Sequence, residues 1–279
     1  MKIALALLML LVSASNVVAE VSVEDIWLFY FSKVQQPPPT TSGAEGEEGS
    51  ASPSAGQQQK QPSASIAGNC PGRVIGQASD EMHSAFTENW PFRSASYELY
   101  FTEKEQLAKT VYSLALFTGD IDSSILLEKF VKGVQGYRYS VGQVCDWLNS
   151  FFFKSDVASL APSPDELSLV GYLLQDRIIR LEGKRFVSTG EVRHILAASS
   201  GKKRSFDLNL RHERLHVIWE ESKTFCQNSL DQWSRISDEE KKGIRKTLHV
   251  YSDKNETDIV KEWAVRNAEQ TPTSIYESL

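Results

Sequence analysis

The stretch Leu208-Asn209-Leu210-Arg211-His212-Glu213-Arg214-Leu215-His216-Val217-Ile218-Trp219 decides how this chain is read. No proline or glycine interrupts it, and its apolar residues are dense enough to predict a buried-type helix. At its centre, His212 and His216 stand four residues apart and therefore project from one helical face, one turn apart. Two imidazoles so placed can bind a single zinc ion. Glu213, beside the first histidine, then reaches a water on that ion and can act as general base. The chain has only five histidines, so this spacing is not a by-product of a histidine-rich composition. Arg214 departs from the usual pattern, in which both middle positions are uncharged; it either snorkels to the surface or pairs with an acidic neighbour.

A catalytic zinc site takes three protein ligands and leaves one position open. The short-spacing variant with a third histidine is absent, since Trp219 stands where its glycine would be. The third ligand is therefore expected on a later helix, one opened by Asn255 as N-cap. On that helix Glu262 lies mid-element, bordered by Ile259 and Trp263, on the inward side. Glu256, in the first turn, is the alternative ligand, although there it would also favour the helix dipole. Asp258, one turn before Glu262, is the candidate acceptor for a histidine ring N–H behind the metal. His249 and Tyr251 lie between the two helices, as oxyanion hydrogen-bond donors or as ordinary loop residues. His83 and His194 have no partner at ligand spacing and read as structural.

Over about residues 206–270 this arrangement resembles the gluzincin-type zinc metallopeptidases, in which two histidines of H-E-x-x-H are joined by a glutamate from a downstream helix. The resemblance implies a helical active-site half, Zn2+ as cofactor and hydrolysis of a peptide bond in a peptide or protein substrate. The alternative from a different class is a secreted helical binding or structural protein with a degenerate, metal-free peptidase-like fold.

The rest of the chain supplies the setting. Residues 1–19 read as a signal peptide: Lys2, an apolar run from Ile3 to Val12, then Val17 and Ala19 at a cleavage site. That run is too short to span a bilayer, which needs roughly 20 residues. No later stretch serves as a transmembrane anchor, so the expectation is an exported protein, secreted or periplasmic. Residues 20–34 carry Ile26-Trp27-Leu28-Phe29-Tyr30-Phe31, a segment expected to dock on its own domain or on a partner. Residues 35–68, rich in Pro, Ser, Gly and Gln, read as a disordered linker. Residues 69–279 read as one helical domain. The formal net charge of −6 argues against nucleic acid as a partner, because phosphate needs a basic face.

The expected fold class is mainly α, an α+β domain with a minor small sheet. Thr102 with Glu105, Ser163 with Glu166 and Ser237 with Glu240 each read as a capping box. The helix after Pro164 should run through Ile178 to a stop at Gly183. Further helices are expected near 121–134, 140–152, 190–199, 208–224 and 255–269, and strands at Tyr97–Phe101 and Arg185–Ser188. Three cysteines are an odd count, and Cys145–Cys226 is the preferred bridge in an oxidising compartment.

Overall fold

Strand β2, Ser96–Phe101, is buried at every position because it has strands on both sides and helices on both faces. In this computed structural model the described residues are 72–76, 82, 88–153, 163–200, 205–248 and 255–270. They belong to one unit, Lys60–Leu279. The expected signal peptide, aromatic segment and linker, together with Cys70, His83, His249 and Tyr251, lie outside the described residues.

β2 pairs in parallel with β1, Gly72–Ile75, and on its other side with β6, His194–Ser199. β3, Gly136–Ser140, closes the other edge, antiparallel to β6, giving the order β1-β2-β6-β3. A separate hairpin joins β4, Ile179–Glu182, to β5, Arg185–Ser188. Eight α-helices stand among the described residues: α1 Lys104–Thr118, α2 Leu127–Gly133, α3 Val141–Phe153, α4 Pro164–Gln175, α5 Phe206–Glu221, α6 Lys223–Arg235, α7 Asp238–Thr247 and α8 Glu256–Glu269. The domain is thus mainly α with a minor sheet. No helix among the described residues is long and apolar enough to cross a membrane.

Period-two alternation along the strands splits the core in two. Tyr97, Leu99, Ile195 and Ala197 face one cluster with Leu107, Leu114, Trp147 and Leu173 of α1, α3 and α4. Leu196, between Ile195 and Ala197, faces the other with Leu215, Ile218, Ile259 and Val265 of α5 and α8. Because both faces of β6 are covered, all six of its residues are buried and none alternates with an exposed one. That is why, where a helix is expected over 190–199, His194–Ser199 form a strand.

Other boundaries differ for local reasons. The boxes at Ser163 and Ser237 form, each with both reciprocal hydrogen bonds. The box at Thr102 does not, because its hydroxyl donates instead to the Ile75 carbonyl at the β1 edge, and Glu103 is the N-cap. α4 stops at Gln175 rather than Gly183. Arg177 takes a left-handed φ of 57° there, and the chain turns into the β4–β5 hairpin, whose turn Gly183 also adopts φ 57°. The expected helix over 208–224 breaks at Ser222, which caps α6 through its hydroxyl. Cys145 and Cys226 are both free; they pack against opposite cores, so the expected bridge between them does not form.

Candidate metal centre

Ser205 caps α5, its hydroxyl accepting from the Leu208 N–H at 3.3 Å, and Asn255 caps α8, its side-chain oxygen accepting from the Asp258 N–H at 3.0 Å. These caps fix where each helix begins, and hence which residues face inward. The two helices run antiparallel against each other: His212 meets Glu269, His216 meets Glu262, and Glu220 meets Lys261.

At the middle of this seam three ligating atoms converge. The Nε2 atoms of His212 and His216 are 3.2 Å apart, and Glu262 Oε2 lies 3.7 and 3.5 Å from them respectively. Ligands about 2.0–2.1 Å from one tetrahedral zinc would be separated by roughly 3.3 Å, so the triangle matches the spacing such an ion needs. The chemistry of the donors fits as well. Glu262 Oε2 is buried and has no hydrogen-bond partner, while its other oxygen accepts from Arg266 Nε at 2.6 Å. An orphaned carboxylate lone pair aimed at two imidazole nitrogens is costly unless a cation takes it up. His212, His216 and Glu262 therefore form a group able to hold a metal ion.

For His216 and Glu262 the protonation states favour ligation. Burial drives the His216 imidazole toward its neutral form. Burial would raise the pKa of Glu262, but the two histidines and Arg266 outweigh it and hold the carboxyl below its ordinary range. Neutral imidazole and ionised carboxylate are the forms that bind metals. His212 is fixed from behind: its Nδ1–H donates to Glu269 Oε2 at 2.8 Å, which leaves the Nε2 lone pair facing the triad. Burial lowers the pKa of His212, and the Glu269 bond and the nearby carboxylates more than offset it.

Glu213 is buried against the edge strand β3. A Cβ on Gly136 would lie 2.6 Å from Glu213 Oε1 and 3.0 Å from the Ala197 carbonyl oxygen. A glycine is therefore required for the glutamate to sit where it does. Burial, reinforced by Glu262, pushes the Glu213 carboxyl up to about 7, against the pull of His212, Arg138 and Lys261.

Arg214 faces the opposite side of α5 and is fully buried. It pairs with acids rather than snorkelling: its Nε and Nη2 donate to the two Glu98 oxygens at 2.7 and 2.9 Å, and Nη1 donates to Glu88. The guanidinium also lies 5.5 Å from the Trp90 ring centroid.

Two expected positions are corrected. Asp258 serves neither histidine, because His212 Nδ1 is bonded to Glu269 and His216 Nδ1 has no hydrogen-bond partner. Glu256 is not beside the histidines; it is exposed and accepts from Trp233 Nε1 at 2.9 Å and from Arg245 at 2.7 Å. Glu269 is the residue that sequence reasoning misses, although its place two turns after Glu262 puts it on the same face. His194 has an acidic partner after all, Glu221 Oε1 at 2.6 Å, at the far end of α5 from His212. No family model, curated protein or solved structure matches this chain.

Proposed function

We propose that the chain is an exported zinc-dependent metallohydrolase that cleaves peptide bonds. The observation that supports it is the triangle of His212 Nε2, His216 Nε2 and Glu262 Oε2, with edges of 3.2, 3.5 and 3.7 Å. These three residues would hold the ion, with Glu269 keeping His212 in the ligating tautomer. Zinc bound there would supply Lewis acidity, acidifying a water and polarising a carbonyl. Glu213 takes the water's proton and returns it to the departing amine. Gly136 lets that carboxylate rest against the backbone of β3.

The test separates binding from chemistry. The purified full-length protein should carry one zinc per molecule, and Glu213→Gln should retain it. Turnover of a generic protein substrate should fall by ~10²–10⁴ in that variant, the loss expected for a general base. Unchanged turnover would remove Glu213 from the mechanism. A protein that takes up no zinc at neutral pH would instead favour the reading as a helical binding protein.

A further inference from the structure

Beside the triad, three elements bring together a second charged group that the proposed chemistry does not use. Arg138 comes from β3, where it alternates with the buried Tyr137 and Tyr139 and so shares a face with Gly136, against which Glu213 rests. Lys261 comes from α8, one residue before Glu262. Glu220 comes from α5, one turn after His216. Arg138 Nη2 and Lys261 Nζ both donate to the same atom, Glu220 Oε1, the lysine at 2.8 Å. The Arg138 and Lys261 side chains are only 11% and 20% exposed.

The donors outnumber the acceptors. A guanidinium has five N–H donors and an ammonium three, and a guanidinium matches a carboxylate best with two parallel bonds. Among the described residues each of these cations makes one side-chain hydrogen bond, to one shared oxygen. Glu220 Oε2 points elsewhere, 4.0 Å from His194 Nδ1. Glu213 and Asp120 act on both cations, and Asp258 on Lys261, through their charge and without a hydrogen bond to either cation. Two largely desolvated cations sharing one acceptor atom, with part of each side chain still open to solvent, are arranged to receive a second carboxylate.

We propose that Arg138 and Lys261 form a carboxylate-binding subsite next to Glu213, so that the preferred substrate presents a carboxylate close to the bond being cut. The subsite rests on the hydrolase reading for its purpose, although its binding can be measured without turnover. The carboxylate can come from the C-terminus of the substrate or from an acidic side chain, and the two sources bring the same chemistry.

The experiment uses the full-length protein with Glu213 in place, since its charge acts on both cations, and reads binding by stopped-flow fluorescence before any turnover. Three fluorescent peptides share one core sequence. The first ends in a free carboxylate and has no acidic side chain; the second has one Glu and a C-terminal amide; the third has Gln and the amide. At least one carboxylate peptide should bind tighter than the third, on the order of 10–100-fold, as expected for charge-assisted hydrogen bonds in a part-buried site. Which one does so identifies the source. Adding Arg138→Gln should abolish the difference, with Lys261→Met as a second variant should the first fail to fold by circular dichroism. Glu220→Gln should enlarge it, because it removes the carboxylate that competes for the same donors. Equal affinity for all three peptides, or binding of none, overturns the subsite. So does a weakened preference in Glu220→Gln, which would make the cluster an ordinary structural ion pair. None of these readings depends on zinc content or activity, so failure of the hydrolase reading registers separately.

Discussion

Two sides of one helix, α5, bury charge in opposite ways. On one side Arg214 is bonded in a fork to Glu98, reaches Glu88 with its remaining arm and lies over Trp90, while the Tyr100 hydroxyl donates to Glu98. On the other side His212, His216 and Glu262 point their ligating atoms at one another, and Glu262 Oε2 and His216 Nδ1 are buried with no hydrogen-bond partner. On the Arg214 side Glu88 Oε1 and Trp90 Nε1 also lack a partner, but every guanidinium nitrogen has a carboxylate to donate to, so the cation is compensated within the fold. On the other side it is a carboxylate oxygen among convergent ligating atoms that is left without a hydrogen bond, in a group able to hold a metal ion. Both arrangements occur inside a single sixteen-residue element.

The most direct challenge to this contrast is to remove one member from each side. His216→Ala deletes a ligand, so metal content should drop to background by elemental analysis and activity should vanish with it. Arg214→Met should leave the three ligands in place but strand Glu98 in the interior, destabilising the fold by ~3–5 kcal/mol in urea unfolding. Replacing Glu98 and Glu88 by apolar residues in the same variant should recover most of that loss, since no unpaired charge then remains buried. If Arg214→Met were as stable as the parent, the structural reading of that side would fail.

A smaller effect is expected behind the proposed metal ligands. Glu269→Gln keeps the shape but not the charge behind His212, and should weaken metal affinity by ~10–100-fold in a chelator competition. Its unfolding midpoint without metal should stay near that of the parent. The smallest effect lies away from both clusters, at Asp176. Burial opposes its ionisation, but hydrogen bonds from Arg73 and Tyr97 prevail and hold its pKa below the ordinary value. Its contribution to stability is therefore fully present above about pH 4, the unfolded value, and is lost as pH falls through the lower folded one. Asp176→Asn should cost about 1 kcal/mol at neutral pH, kept small by partial exposure. Its stability curve should converge on the parent's below about pH 4.

The site is legible in the sequence where it rests on local spacing, and less so where it rests on how elements meet. The histidine pair follows from a four-residue interval, and the inward place of Glu262 follows from the Asn255 cap and its apolar neighbours. Glu269 becomes visible only once α8 is known to run antiparallel to α5, which brings its last turn to His212. Asp258 is favoured by proximity in sequence, yet it lies on the far side of Glu262 from the residue that holds His212. The partners of Arg214 stand 116 and 126 residues away in the chain, beyond any periodicity argument. The same limit applies to the fold. Helix caps at Ser163 and Ser237 are written in four residues each, whereas the strand at His194–Ser199 is defined by neighbours on four sides that leave no alternation to read.

Gly136 carries a consequence for descent. With Glu213 pressed against the bare backbone of β3, the first carbon of any side chain at 136 would collide with the carboxylate or with the carbonyl of β6. A lineage that keeps Glu213 in this place is expected to keep glycine here, since an added Cβ would force the glutamate off the strand. A lineage in which position 213 carries something shorter is released from that constraint. In a related protein the residues at 136 and 213 are thus expected to change together.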